Sequence, residues 1–474
     1  MYKDSRGLTV TATALDTVEL LDAAVAAYLG MRRDVSDRAE DLVRADPDCP
    51  LGHCLSGYLS MHAGKRSTLA DAQKALARAK AASGGRYASR ESLHVGALEA
   101  WLTGDLVGTL DRWEQVLREH PTDILAVRLA QFITSYLGRS QGIRDSVERV
   151  LPAWAPGMPG YGFLLGCQAY GLEEAGEYGR AERVGRAAVD ENPEDLWANH
   201  AVAHVMEMQG RPREGIAWVH NSRQQWQRCG NFVRHLWWHC CLYHLMLLEY
   251  DRVLELYDQE VRAESTDEYL DIANSAALLW RLEQLGVSVG ERWEELARRA
   301  QSHIEDHLFV FADLHYMLAV AGGSSQETVS AFLDSCAQYA KTGLRTGTEV
   351  RVMQQVGLAI AEAIVAHRNG HYSRAADLLL PVKDSICRVG GSHAQRDLFE
   401  HMLIDSTMRS DRAVVARTLL QERIAKRPRE LWAWRHLAQV FETLEDGERG
   451  MLAQNEIEKL TIAAVASGSS EADH

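Results

Sequence analysis

Three helix stops of one kind, at near-equal intervals, constrain this chain more than any other feature. Asp46-Pro47-Asp48, His120-Pro121-Thr122-Asp123 and Asn192-Pro193-Glu194-Asp195 set their prolines 74 and 72 residues apart. Proline lacks an amide hydrogen and clashes with the preceding turn, so each one ends a helix. Between the stops, apolar residues recur at helical period in stretches broken by Gly, Pro, Asp or Asn. Strand-like alternation is absent. Such a chain is expected to fold as about 22 helices in roughly eleven antiparallel pairs, each proline interval covering two repeats.

One repeat is clearest over residues 161–194. Tyr170-Gly171-Leu172, Ala175-Gly176-Glu177-Tyr178, Ala181 and Asn192-Pro193 fall at tetratricopeptide-like intervals. Gly176 frees the turn, Ala181 allows close packing, and Pro193 stops the second helix. Asp123 and Asp195 are expected to cap the helices that follow them. Further units follow Asn369-Gly370-His371-Tyr372 with Ala375, and Lys426-Arg427-Pro428 leading to Trp432 and Trp434. The expectation is an all-α, tetratricopeptide-like helical-pair solenoid forming one domain over 1–466. Residues 152–160, with three of the ten prolines, read as a bend or inserted loop, and 467–474 as a disordered tail. At 474 residues the chain exceeds an ordinary globular core, but a solenoid packs each repeat only on its neighbours.

A net charge of −15 argues against nucleic acid and anionic membranes as partners. The first residues hold no apolar signal core, and no run of 18 apolar residues occurs, so a soluble cytoplasmic protein is expected. The eight cysteines form no C-x-x-C pair and read as reduced thiols.

Six of the 19 histidines fall between His200 and His244. His200/His204 and His235/His239 each have i,i+4 spacing, and the pairs sit 35 residues apart, about one repeat. His200, His204 and Glu207 share one helix face, with Trp197 a turn earlier. Aligning Gly210 with Gly176 makes this the first helix of its pair, the one that lines the concave groove. Helical phase turns His220 and His244 away as structural or surface residues.

Two i,i+4 histidine pairs with a carboxylate form a divalent-metal set for Zn²⁺ or a similar ion, the cofactor this chain is expected to take if it takes one. His200, His204, His235 and His239 are its candidate ligands. Without metal the same residues supply a base oriented by a carboxylate, so His204, Glu207, His239 and, from a later first helix, Asp313 are the catalytic candidates. His315, two residues from Asp313, cannot share its face. Trp197, His235, Trp238, His393, Arg396 and Asp397 are candidates for holding a ligand; the last three lie in the polar knot Gly390–Asp397, where Arg396 suits a carboxylate or phosphate. Each candidate has a plainer reading: hydrogen-bonded groove residues for the histidines, packing for Trp237 and Trp238, a capped turn for the knot. Glu173 and Glu174 read as an ordinary solvated and capping pair.

The chain resembles the tetratricopeptide repeat protein 38 family over about residues 15–460. The resemblance lies in Trp113-Glu114 before His120-Pro121, Tyr161-Gly162 through Gly176, Trp197 through His204 with Glu207-Met208, Trp237-Trp238-His239, Leu279-Trp280-Arg281-Leu282, and Gly390 through Asp397. It implies a right-handed superhelix and no settled activity. Cys240-Cys241 departs from the small or aliphatic pair expected there. About eleven pairs exceed one superhelical turn, so the C-terminal knot is expected to return over the histidines.

Two functions follow. The first is a protein- or peptide-binding scaffold with a histidine-rich concave groove taking a peptide or small molecule. The alternative is an enzyme, a metal-dependent or histidine-activated hydrolase built on the same His/Glu cluster. No H-E-x-x-H, G-x-S-x-G, Walker A or G-x-G-x-x-G motif decides between them. The sequence leaves homodimerisation open.

Overall fold

The computed structural model describes residues 1–343 and 347–469. Helices follow one another from Leu15–Leu29 to Gly447–Ser469, and the strands among the described residues form one short ribbon, Tyr2–Lys3 against Thr9–Val10. Most consecutive helices pack on each other, giving an all-α, tetratricopeptide-like superhelix of helix pairs.

The pair Tyr161–Glu174 and Tyr178–Glu191 shows why the units form. Gly176 adopts φ +81° in the turn, a left-handed conformation that a side chain disfavours. Gly210 repeats it 34 residues later at φ +63°. Ala181 is wholly buried in its pair. After Pro193, the Asp195 carboxylate accepts from the Trp197 and Ala198 amides at 3.0 and 3.1 Å and so starts the Leu196–Met208 helix. Asp123 starts Ile124–Tyr136 by accepting from the Ala126 amide at 3.0 Å. Such caps contribute about 1 kcal/mol each. The 152–160 segment is packed: Trp154 is buried, and its indole donates to the Pro121 carbonyl at 2.9 Å.

The expected concave groove is largely filled. Tyr136 and Tyr269, 133 positions apart, share a hydroxyl–hydroxyl hydrogen bond of 2.7 Å. The Phe309 ring packs on Tyr136 at 4.4 Å and on Phe132 at 6.0 Å. The Gly230 amide donates to the Met31 carbonyl at 2.7 Å, and the Thr348 amide to Gly104 at 2.8 Å. Aromatic burial drives this closure, at roughly 1.5–3 kcal/mol per side chain removed from water. An open groove would leave those rings wet.

The helix His393–Arg409, from the C-terminal part of the chain, returns to the middle of the array. The His393 amide donates to Glu174 Oε1 at 3.0 Å, and Arg281 Nη2 donates to the Ala394 carbonyl at 3.1 Å. The last helix runs through Ser469, so 467–469 are helical, while 470–474 lie outside the described residues. Among the described residues all eight cysteines are free thiols, and no helix is long and apolar enough to cross a membrane.

Candidate metal centre and adjoining cleft

The Leu196–Met208 and Phe232–Met246 helices stand side by side and carry the two histidine pairs. Helical spacing puts each pair on one face, and the one-repeat offset sets them level. His200, His204, His235 and His239 are at most 2% exposed. One ring nitrogen from each lies within 4.8 Å of the other three. His200 Nε2 is 2.8 Å from His204 Nε2 and 3.1 Å from His235 Nε2.

The outward nitrogens fix the protons. His239 Nδ1 lies 2.9 Å from Glu207 Oε2, and His235 Nδ1 lies 3.1 Å from Asn274 Oδ1. Both partners are acceptors, so both Nδ1 atoms donate and both Nε2 atoms face inward as lone pairs. His204 Nδ1 lies 3.5 Å from Glu173 Oε2. Burial pushes His200, His204 and His235 well below the usual histidine range, and neighbouring imidazoles add to it. One proton shared by His200 and His204 satisfies their contact. It leaves His239 Nε2 buried without a partner.

The rings are braced on both sides. Trp197 stacks on His200 at 4.7 Å, under the Arg128 guanidinium at 3.7 Å, and donates to Gln131 Oε1 at 2.8 Å. Trp238 stacks on His235 at 5.1 Å. These two candidates therefore support imidazoles.

Glu173 and Glu174 are buried, not solvated as expected. Burial raises Glu173 well above the carboxylate range, with Glu174 and Glu207 adding to it, and neither of its oxygens has a hydrogen-bond partner. Burial also opposes the Glu174 charge, but His393 and Arg396 outweigh it and hold that carboxyl low. The cause is the returning C-terminal helix, 219 positions away. A signal was there: Glu173 precedes Glu207 by 34 residues, one repeat, as Gly176 precedes Gly210.

The remaining candidates separate. His393 donates its amide to Glu174, and Arg396 donates to the Gly391 carbonyl and lies 3.5 Å from Glu174 Oε2. Asp397 is held by both terminal nitrogens of Arg423, at 2.7 and 2.8 Å. Asp313 pairs with His307 Nδ1 at 3.1 Å and belongs to no potential metal group among the described residues. Its neighbour His315 donates to the Phe311 carbonyl at 2.7 Å. His244 pairs with Glu249, and His220 packs on Trp237.

Beside the cluster lies a cleft of 630 Å³ between the middle helices and the C-terminal units. Glu207 is common to both: it holds His239 and forms part of the cleft wall. The other walls include Arg281, Asp397, His401, Arg427 and Trp432. His401 and Trp432 stack at 3.9 Å. Of these wall residues the sequence marks Glu207 and Asp397 as site candidates, and Arg281, Arg427 and Trp432 only as family or repeat landmarks. They come from distant segments that the return of the C-terminal helix brings together.

No family model matches the chain. Among solved structures it is similar to the TPR domain of P58(IPK), at 13% identity over 80% of this chain and 99% of that one, with a TM-score of 0.22. It is also similar to a monomeric mutant of IFIT1 with Gppp-AAAA, at 13% identity over 94% and 95% of the two chains, with a TM-score of 0.34. The chain's own residues carry the functional reading.

Proposed function

We propose that this chain is a metal-holding helical-repeat scaffold. His200, His204, His235 and His239 close around one divalent transition-metal ion, Zn²⁺ or similar, and the adjoining cleft takes a protein or small-molecule ligand. His239 carries the proposal: its outward nitrogen donates to Glu207, and its inward lone pair is buried with no donor facing it. A proton serves one contact of the cluster, whereas a metal ion takes all four lone pairs. Nitrogens ~2.0–2.1 Å from a tetrahedral ion are about 3.4 Å apart, within the spread of these four. Glu207 lies against His239, where it supplies counter-charge and orients the ring, and Glu173 lies 3.5 Å from His204 Nδ1.

Four imidazoles complete a tetrahedral sphere, which favours a held ion over one that activates water. A metal-dependent hydrolase is the second reading, and Glu207 is its support, since it touches both the centre and the cleft. We also place the chain in the tetratricopeptide repeat protein 38 family, because the segments Trp197–Met208 and Trp237-Trp238-His239 both carry the resemblance and build the centre. The free thiols support a cytoplasmic setting.

Reconstitution with Co²⁺ tests the centre. About one equivalent per chain is expected, with the intense visible absorption of a tetrahedral site. His204→Ala and His239→Ala should abolish that spectrum. A wild-type chain that binds no Co²⁺, or keeps the spectrum in both variants, contradicts the proposal.

A further inference from the structure

Arg281 lies on the Tyr269–Gln284 helix, 7% exposed, in the wall of the 630 Å³ cleft. Its terminal nitrogens donate to the Ala277 and Ala394 carbonyls at 3.2 and 3.1 Å. A guanidinium has five donors, and among the described residues no carboxylate lies within ion-pair distance of this one. The local carboxylates are already taken. Arg423 holds Asp397 and Glu430 through four hydrogen bonds of 2.6–2.8 Å, and Glu207 holds His239. Arg427, also in the cleft wall, reaches Asp397 only at 3.4 Å. Arg281 is thus a buried cation with no ion-paired carboxylate, and beside it in the wall Arg427, half-buried, makes only one long ion pair.

A buried charge without a counter-charge is costly, and chains retain one where a ligand supplies it. Arg geometry matches a carboxylate in a forked pair. Besides further charged residues such as Arg211, Glu214 and Arg435, the wall carries the apolar and aromatic side chains of Leu242, Met246, Trp280 and Trp432. The cleft volume falls in the small-molecule range of roughly 300–1,000 Å³.

We infer that the cleft binds a small organic acid, its carboxylate held by Arg281 and Arg427 and its apolar or aromatic body lying against Trp280 and Trp432. This deepens the ligand-binding half of the proposed function and is independent of the metal.

Calorimetry on the full chain, its metal content left as purified, tests it with two probes of one shape. N-acetylphenylalanine carries the carboxylate, and N-acetylphenylalaninamide is neutral. The acid should bind at least about tenfold more tightly than the amide. Arg281→Gln and Arg427→Gln should each erase most of that difference; Gln at 281 keeps donors for the two carbonyls. Equal binding of acid and amide overturns the inference and leaves ligand binding in the cleft standing. Binding of neither overturns both. A heptapeptide ending in free phenylalanine that binds about tenfold more tightly than the small acid assigns the cleft to a polypeptide C-terminus and overturns the small-acid inference.

Discussion

His204 and His239 stand 35 residues apart in the chain, yet their rings lie 4.4 Å apart, centre to centre, with neither side chain exposed. One repeat separates them in sequence, and one helix-to-helix contact joins them in space. The repeat thus gathers imidazoles as it gathers leucines, by placing equivalent positions side by side. What distinguishes this pair from ordinary core is the outward environment: His239 bonds to Glu207, and His204 faces Glu173 at 3.5 Å.

Glu207→Gln keeps the shape and an acceptor for His239 but removes the charge. Carboxylates behind metal-bound histidines typically contribute 10–100-fold in affinity. Competition against a chromogenic chelator is expected to show a loss of about that size, with helicity unchanged. Unaltered affinity would detach Glu207 from the centre.

Gly215→Ala tests the packing that aligns the histidine helices. A Cβ at Gly215 would collide with the Tyr243 ring. Tyr243 belongs to the helix carrying His235 and His239, and its hydroxyl donates to the Ala203 carbonyl at 2.5 Å. Overpacking of this kind costs about 1–3 kcal/mol. Thermal denaturation should show a lowered midpoint, and the metal affinity should fall with it.

Arg423 is the ion-pair hub of the C-terminal units. Its side chain is 2% exposed and bonds both Asp397 and Glu430. Arg423→Met leaves Glu430 without its main cation and Asp397 with Arg427, at 3.4 Å, as its remaining arginine partner, a loss of roughly 3–5 kcal/mol. Arg423→Lys keeps the charge but not the fork, so its denaturation midpoint should fall between those of the wild type and the Met variant.

Glu349 gives the pH dependence a sign. It is buried, and the Val310 amide donates to it at 2.7 Å. Burial pushes its carboxyl up to about 8. The folded chain therefore holds this proton more tightly than the unfolded chain does. Its contribution to stability is full below the ordinary carboxylate range and is lost as pH rises toward about 8. Glu349→Gln should flatten that decline, so denaturation midpoints of variant and wild type should diverge between pH 5 and about 8, with the variant higher at the alkaline end. Parallel curves would refute the assignment.

The sequence shows what is local or repeats. Gly176, Asp123 and Asp195 announce their turn and caps because each acts within a few residues. The four histidines and Glu207 are legible because helical phase and one repeat length place them together. The number of repeats predicts that the C-terminal knot returns over the histidines, but the particular contacts that close the superhelix leave no such trace. Tyr136 meets Tyr269 and Glu174 meets His393 through the summed rotation of many units. For that reason the interior reads as an open groove, Glu173 and Glu174 read as solvated, and the Arg281–Arg427 wall of the cleft goes unseen. Asp313 looks available until His307 is placed beside it.

The most direct test of the central claim is the metal content of the chain purified without a histidine tag. Mass spectrometry of the elements should find close to one equivalent of zinc or another divalent transition metal per wild-type chain, and little in His204→Ala or His239→Ala, since a closed four-imidazole site should hold its ion near stoichiometrically. Less than about 0.1 equivalent in the wild type, or equal content in wild type and both variants, would contradict the account.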